Sequence, residues 1–240
     1  MPAPTEHLTF DLRHGPDFAW VSVVLRPGQR VCAEPGAMAT MSPGVRLKAG
    51  FASGLWGTLS RMMSGESARL STYEAGSAGG EVSLAPPGLG EVVHIHLDGS
   101  RPFLLQRGAY LAGSPGLKLN AAWQGARGFF AGKGLFLLQV TGAGDLFFYT
   151  YGGALKLDVT QETYVDTGYV AAFDASLSYS VTTMPGIALG TKIKTFIFGG
   201  EGLVVRFSGQ GRVWVQTRAM QPLLRFLWPF RLAKKRLKSR

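Results

Sequence analysis

The stretch EPGAMATMSPGVRL, from Glu34 to Leu47, decides the fold of this chain because it occurs three times. The second copy is QRGAYLAGSPGLKL (Gln106–Leu119), and the third is DTGYVAAFDASLSY (Asp166–Tyr179). Each copy has the pattern of a strand, a turn and a second strand. A unit this small cannot bury its apolar face alone, so three copies predict β repeats that share one folded domain. The copies align on six residues: Gly36, Gly108, Gly168, Val45, Leu117 and Leu177.

A second repeated element follows each copy of the first. It begins at Ser64, Ala131 and Gly199 and aligns on Gly65, Gly132 and Gly200. We therefore predict an all-β fold in which three tandem repeats pack around a pseudo-threefold axis. The repeats span about residues 8–90, 91–158 and 159–217, within a single domain of residues 1–217. A basic, aromatic tail occupies residues 218–240.

Local patterns predict several elements and the conformation of the aligned glycines. Leu8–Leu25 has the pattern of two strands joined at the turn His14–Asp17, and Arg30–Ala33 predicts a short strand. The runs Leu135–Val140 and Leu203–Phe207 also predict strands. We expect the aligned glycines to have positive φ or to allow a close backbone approach, because a β-branched residue there would be strained.

Composition limits the class of protein. The chain has 240 residues, of which 46% are apolar, and it contains one cysteine, so no internal disulfide can form. A reducing, cytoplasmic setting is the expectation for such a chain. The sequence lacks an apolar run long enough to predict a transmembrane helix, and no signal peptide is recognisable at its start.

Positive charge is concentrated in the tail. The net charge is +10, yet the chain before Arg218 carries 17 basic and 15 acidic residues. Aromatic rings interleaved with cations favour a membrane interface with anionic lipid. Pro229 predicts a kinked or two-part element. The candidate contact residues are Arg225, Phe226, Trp228, Phe230, Arg231, Lys234, Lys235, Arg236, Lys238 and Arg240.

Two other interpretations of the tail stay open. The basic run could contact nucleic-acid phosphates without sequence preference. Alternatively, the apolar half could pack on the domain. A second candidate contact segment, predicted to be a short amphipathic helix or an apolar-faced loop, contains Trp56, Leu59, Met62 and Met63.

The remaining motifs do not predict a catalytic residue, a metal site or a cofactor. His94 and His96 share one face of a strand, but a cupin-type metal site also needs a third histidine and a suitably spaced carboxylate. Asp98 is too close and no histidine follows His96. We therefore expect two surface or turn-proximal histidines, the alternative being a site completed by a neighbouring subunit. Cys32 is expected to be a buried structural thiol.

Several motifs together resemble one known family. They are RPGQRVCAEPGAMATM (Arg26–Met41), GLWGTLSRMMSGES (Gly54–Ser67), the turn Gly200-Glu201-Gly202 and VWVQTR (Val213–Arg218). The sequence resembles the altered inheritance of mitochondria protein twenty-four family over about Phe18 to Arg218. The resemblance implies a shortened double-stranded β-helix, tripled in one chain and similar in fold to the tryptophan RNA-binding attenuation protein. It also implies a homo-oligomer and supplies no catalytic residue.

The function predicted from the sequence is that of a non-enzymatic scaffold or interaction protein. It would attach peripherally to the inner face of a membrane through its tail, with a protein partner that the sequence does not identify. The alternative is a nucleic-acid-binding module, and a weaker alternative is a metal- or small-molecule-binding β-helix protein. The mitochondrial family member is implicated in inner-membrane organisation.

Overall fold

The structure, a computed structural model, describes residues 7–49, 70–122, 137–185 and 203–230. Within these residues the chain forms 19 strands and a short C-terminal helix. The strands of the first half are β1 Thr9–Arg13, β2 Trp20–Leu25, β3 Arg30–Ala33, β4 Met38–Met41, β5 Val45–Ala49, β6 Ser71–Ala75, β7 Gly80–Leu84, β8 Val92–Asp98, β9 Phe103–Gln106 and β10 Tyr110–Gly113. The later elements are β11 Lys118–Ala122, β12 Leu137–Thr141, β13 Ala143–Tyr149, β14 Ala154–Val159, β15 Thr163–Asp166, β16 Val170–Asp174, β17 Ser178–Thr183, β18 Leu203–Ser208, β19 Gly211–Gln216, helix α1 Met220–Leu227 and a 3-10 turn Trp228–Phe230.

The described strands form four antiparallel sheets. Two have six strands, in the orders β5-β6-β3-β10-β13-β8 and β11-β12-β9-β16-β19-β14. We call them sheet I and sheet II. A four-stranded sheet has the order β1-β2-β7-β4, and a three-stranded sheet has the order β15-β18-β17. The all-β prediction is confirmed.

Sheets I and II follow the same strand order, shifted by six strands along the chain. Each of these sheets combines three strands that come earlier in the chain with three that come later, and we call the pair of strands where the two sets meet a join. In sheet I the join is β3 paired with β10, where Ala33 lies opposite Ala112. In sheet II the same join is β9 with β16, where Leu105 lies opposite Ala172. If the same strand order occurred a third time, the corresponding join would pair β15 with β4. No pairing between these two strands occurs in the described residues, so each ends its own sheet.

Three hydrophobic clusters fill the spaces between successive sheets. The first packs the four-stranded sheet on sheet I and includes Phe147. The second packs sheet I on sheet II and includes Phe103 and Phe148. The third packs sheet II on the three-stranded sheet and includes Phe173 and Phe207. All five rings are fully buried, and each contributes roughly 1.5–3 kcal/mol relative to an exposed ring.

Most local expectations are met where the structure describes the residues. Strands β1 and β2 flank the turn at His14–Asp17, β3 has the expected bounds, and β12 and β18 fall on the two later apolar runs. The expectation for Cys32 is wrong in one respect. The residue is only half-buried, and its thiol lies 3.5 Å from the Thr72 hydroxyl on the neighbouring strand.

The first set of aligned glycines divides into two kinds. Gly36 and Gly108 have φ values of 88° and 85°, the left-handed conformation expected for the turn. Gly168 does not have positive φ, and a Cβ there would lie 3.2 Å from Asp166 Oδ1. The same backbone bond closes the turn in all three copies, and in the third it is the N–H of Tyr169 donating to the Asp166 carbonyl. Only the third copy adds a side-chain bond, in which the N–H of Gly168 donates to Asp166 Oδ1 at 2.8 Å. The second set, Gly65, Gly132 and Gly200, lies outside the described residues.

One hydrogen bond occurs at the same place in each repeat. The backbone N–H of Glu81 at the start of β7 donates to Ser42 Oγ. At the corresponding position, the N–H of Asp145 donates to Ser114 Oγ, and the N–H of Arg212 donates to Asp174 Oδ2. These bonds are 2.8–2.9 Å long. The register of the flanking strands makes Glu81, Asp145 and Arg212 equivalent, with Val24, His96 and Asp158 opposite them.

Candidate functional site

Polar side chains converge on Asp145 at the edge of sheet I. Asp145 belongs to β13 and lies directly opposite His96 of β8, the outermost strand of that sheet. His94 precedes His96 by two residues on β8, and the two side chains therefore project from the same face, since side chains alternate along a strand. The chain before β1 brings His7 to the same face. Strand pairing thus assembles one carboxylate and three imidazoles from distant parts of the sequence.

Asp145 Oδ1 is the common partner of the three rings. It lies 2.9 Å from His94 Nε2 and 3.0 Å from His96 Nδ1, both hydrogen-bonding distances. His7 Nδ1 lies 3.8 Å from the same oxygen. The ligand atoms of His7, His96 and Asp145 all lie within 4.8 Å of one another.

The Asp145 carboxylate is buried and held from several directions. Its side chain is only 2% exposed. The second oxygen, Oδ2, accepts the backbone N–H of Leu8 at 2.7 Å. Burial raises the pKa of Asp145, but the hydrogen bonds from Leu8, His94 and His96 outweigh it and hold the pKa below its ordinary value. The group is therefore an ionised carboxylate at neutral pH.

The site has one apolar side and one open side. The His94 ring packs against Phe10 and Phe147, with centroids 4.3 Å and 5.1 Å away. The His7 and His96 rings lie 4.2 Å apart with their planes 33° from parallel. The His7 side chain is 71% exposed and that of His96 is 32% exposed. Solvent therefore reaches the site past His7 and His96, whereas His94 lies towards the core.

This donor set has two chemical uses. Imidazole nitrogens with one carboxylate are the ligands that zinc and other divalent first-row metals take in proteins. Alternatively, the histidines can act only as hydrogen-bond donors that tie the N-terminal segment to sheet I. Both uses need an ionised Asp145.

The expectation that His94 and His96 are surface or turn-proximal histidines holds in part, because His96 is exposed on the edge strand of sheet I. Neither is turn-proximal, because both lie inside β8 and bond a buried carboxylate. The spacing of a cupin-type site places the missing partners after His96. Instead, His7 precedes His96 by more than the length of one repeat, and Asp145 comes from the paired strand. The proximity of Asp145 to His94 and His96 follows only from the pairing of β8 with β13, which local sequence does not show.

The described part of the tail is a second candidate site. Helix α1 has no buried residue, and neither does the 3-10 turn. Phe226, Trp228 and Phe230 are 68%, 63% and 75% exposed. The helix ends at Leu227, before Pro229, which confirms the predicted two-part element. The interpretation that the apolar half packs on the domain finds no support among these residues.

On α1 the apolar residues form one face. Met220, Leu223, Leu224 and Leu227 follow the helical repeat, and Phe226 and Phe230 continue it with ring centroids 5.9 Å apart. Gln221 and Arg225 lie on the opposite face. Among the described residues, no helix is long and apolar enough to cross a bilayer.

The other predicted contact residues lie outside the described residues. These are Trp56, Leu59, Met62 and Met63 of the apolar segment, and Arg231, Lys234, Lys235, Arg236, Lys238 and Arg240 of the tail.

Comparison with known proteins places the chain in a family. A family model described as "Mitochondrial biogenesis AIM24" matches residues 10–218. The chain belongs to the AIM24 family. The match includes strands of all four sheets and His94, His96 and Asp145, whereas His7 and Leu8 precede it.

This AIM24 chain is also similar to two streptococcal proteins. An uncharacterised protein of Streptococcus pyogenes serotype M6 is 29% identical over 222 residues, which cover 88% of this chain and 86% of the relative. A crystal structure of another Streptococcus pyogenes protein, a structural-genomics target, is similar with a TM-score of 0.75. It is 25% identical, and the match covers 94% of this chain and all of that one.

Proposed function

We propose that this AIM24 protein is a non-enzymatic scaffold or interaction protein that attaches peripherally to an anionic membrane surface through its C-terminal segment. The observation that carries the proposal is the exposed apolar face of α1 and its 3-10 turn. Large apolar patches at a protein surface usually mark contact sites. The β domain is the part that such an attachment would present at the membrane.

The chemistry of the segment favours a lipid surface over other partners. Phe226, Trp228 and Phe230 are the residue types that lie at headgroup depth, and Arg225 is on the polar side of the same helix. The sequence that follows is basic and has no acidic residue. Each Lys or Arg near an anionic surface contributes about 1 kcal/mol, so the tail would give reversible binding whose strength falls with added salt.

Vesicle flotation tests the proposal directly. The full chain and a chain ending at Thr217 are mixed with phosphatidylglycerol vesicles and, separately, with neutral phosphatidylcholine vesicles. We expect only the full chain to float, only with the anionic lipid, and less at high salt. A full chain that stays with the soluble fraction beside both lipids at low salt contradicts the proposal.

A matched pair of substitutions distinguishes membrane binding through the tail from non-specific adsorption of exposed aromatic residues. Trp228→Ser removes an exposed aromatic residue of the tail, whereas Phe18→Ser removes an equally exposed one, 69% accessible, from the connection between β1 and β2. We expect Trp228→Ser to weaken flotation and Phe18→Ser to leave it unchanged. If the full chain instead binds single-stranded RNA and ignores vesicles, the tail is a nucleic-acid contact.

We propose further that the three repeats pack around a pseudo-threefold axis, as shortened double-stranded β-helices, and that the protein is a homo-oligomer. The recurring strand order and the recurring hydrogen bond at Glu81, Asp145 and Arg212 support the repeat. By that order Thr40 of β4 corresponds to Ala112 and Ala172, and Val165 of β15 corresponds to Leu105. Thr40 and Val165 are thus the pair that the third join would bring together.

A cysteine pair tests where that join forms. Thr40→Cys with Val165→Cys is introduced into a chain whose own thiol is removed by Cys32→Ser, and the protein is oxidised gently. A crosslink within one chain supports closure of the threefold arrangement, and a crosslink between chains supports a join made in an oligomer. Light scattering on the unmodified protein reports the subunit number. A single monomeric species contradicts the homo-oligomer, and the absence of any crosslink contradicts the join.

A further inference from the structure

The geometry points to a divalent transition-metal site in which His7, His96 and Asp145 are the ligands and His94 positions the carboxylate. This site is independent of the tail and of membrane attachment. It would take a divalent ion of the zinc class, because imidazole and carboxylate ligands suit Zn²⁺ and its first-row neighbours.

The two distances from Asp145 Oδ1 to the ligand histidines are close to those of a tetrahedral ion. Bonds of about 2.0–2.1 Å from zinc to nitrogen and oxygen place two ligand atoms of a tetrahedron roughly 3.4 Å apart. The Asp145 Oδ1 distances of 3.0 Å to His96 Nδ1 and 3.8 Å to His7 Nδ1 lie on either side of that value. Small movements of two partly exposed rings are enough to equalise them. His7 precedes β1, so its ring is free of the strand pairing that fixes His96.

The buried carboxylate already has the supporting contacts of a metal ligand. Leu8 N–H holds Oδ2, and His94 Nε2 bonds Oδ1 from the apolar side. Such outer contacts orient a ligating carboxylate and typically contribute tenfold or more to metal affinity. The exposed side, past His7, leaves room for a fourth ligand from solvent. Three protein ligands with one open position are the arrangement of zinc sites that bind an exchangeable molecule.

Comparison within the chain shows that the β-sheet does not require this cluster. The position of Asp145 is occupied by Glu81 in the four-stranded sheet and by Arg212 in sheet II, and both are exposed. The residues opposite them are Val24 and Asp158 rather than histidine. The strand pairing and the bond to the Ser or Asp side chain are the same in all three places. The three copies therefore share the strand pairing, and only the second copy has a buried aspartate surrounded by histidines at this position.

The histidine content makes the test simple. The chain has four histidines, and the fourth, His14, lies in the turn after β1 with its ring 6.0 Å from Trp20. His14→Ala is therefore a control that removes one imidazole from outside the site. Untagged protein is needed, because a polyhistidine tag would bind the same ions.

The experiment is a titration of the untagged full chain with Zn²⁺ by calorimetry after treatment with a chelator. A parallel titration uses Co²⁺, whose visible absorption reports the coordination number. We expect one ion per chain in a near-tetrahedral site. His96→Ala and His7→Ala should abolish saturable binding, His94→Gln should weaken it roughly 10–100-fold, and His14→Ala should leave it unchanged.

Two results would overturn the inference. One is the absence of saturable binding of either ion to the wild-type chain. The other is binding that persists in both His7→Ala and His96→Ala. Because His7 is exposed and precedes the first strand, His7→Ala should leave the fold intact, which circular dichroism can verify. If His7→Ala and His96→Ala instead lower the melting temperature of a chain that binds no metal, the cluster is a hydrogen-bonded tie and the site is rejected.

Discussion

Asp174 holds Arg212 with three hydrogen bonds across neighbouring strands of sheet II. Its Oδ2 accepts both the backbone N–H of Arg212, at 2.9 Å, and the side-chain Nε, at 2.8 Å. Its Oδ1 accepts Nη2 at 2.9 Å. One carboxylate thus accepts a main-chain N–H and forms a bidentate pair with the guanidinium. The same guanidinium lies 5.0 Å from the centroid of the Trp214 ring. The carboxylate of Asp174 replaces the serine hydroxyl used in the other two repeats.

The first prediction is that Asp174→Ala destabilises the fold by about 0.5–1.5 kcal/mol, because it removes the side-chain acceptor that holds the main chain of Arg212. Asp11→Ala is the matched control. Asp11 also bonds an arginine, Arg13, but both side chains are at least half exposed and the backbone is not involved. We expect that control to leave stability unchanged. Urea denaturation measures both, and equal effects of the two substitutions would contradict the argument.

The second prediction concerns the aligned turn glycines. Gly108→Ala should destabilise the protein by roughly 1–2 kcal/mol, because Gly108 has φ 85° and an L-residue is strained there. Gly168→Ala should cost less, since its backbone is outside the left-handed region and a new Cβ would lie 3.2 Å from Asp166 Oδ1, which needs only a small shift while it keeps its bond to the Gly168 N–H. Thermal denaturation of the two variants gives the comparison. A larger loss at Gly168 would contradict it.

The third prediction is a loss of stability at alkaline pH. Burial, with a smaller contribution from the charge on Glu34, raises the pKa of Tyr149 from its ordinary 10.0 to about 12. Burial also raises the pKa of Tyr110 well above 10, and its hydroxyl donates to the Cys32 carbonyl. Between pH 10 and 12 the unfolded chain loses these protons while the folded chain keeps them. Stability therefore falls as pH rises through this range, and it is fully present below pH 10.

Denaturant midpoints measured from pH 8 upward check this dependence. Tyr149→Phe removes one of the two groups, so its stability should fall less steeply than that of the wild type. The expectation fails if the two proteins show the same alkaline slope.

The fourth prediction separates binding from folding in the tail. Leu224→Ser and Phe226→Ser should reduce flotation with anionic vesicles while leaving the melting temperature unchanged, because these side chains are 48% and 68% exposed and bury little area. Leu105→Ser, at a fully buried position in sheet II, should lower the melting temperature strongly. A tail substitution that destabilises the domain would indicate that α1 packs on it in solution.

Local sequence was sufficient to predict the elements whose conformation depends only on neighbouring residues. The turn at His14–Asp17, the strand Arg30–Ala33 and the break before Pro229 each follow from turn chemistry, alternation or the missing proline N–H. The repeat of Glu34–Leu47 correctly indicated an all-β chain. The expectation for Gly168 is wrong, because the third copy closes the same backbone turn without a left-handed residue and the Gly168 N–H donates to Asp166 Oδ1.

The Asp145 site could not be predicted because its causes are not local. His96 and Asp145 meet only through the register of β8 with β13, and His7 arrives from before the first strand. The spacing rule applied to His94 and His96 requires the further ligands to follow them in the sequence, whereas His7 precedes them and Asp145 is reached through strand pairing. Nothing in the sequence near Asp145 indicates that this carboxylate is buried.

Sheets I and II each contain strands from two successive repeats, joined where β3 pairs with β10 and β9 pairs with β16. A repeat excised from this chain would therefore lose its partner strands in sheet I, in sheet II or in both, and its newly cut edges would expose main-chain donors and acceptors. The protein should melt in a single transition, and fragments ending near residue 90 or 158 should not fold alone. The threefold division of the sequence is thus not a division into separable units of folding.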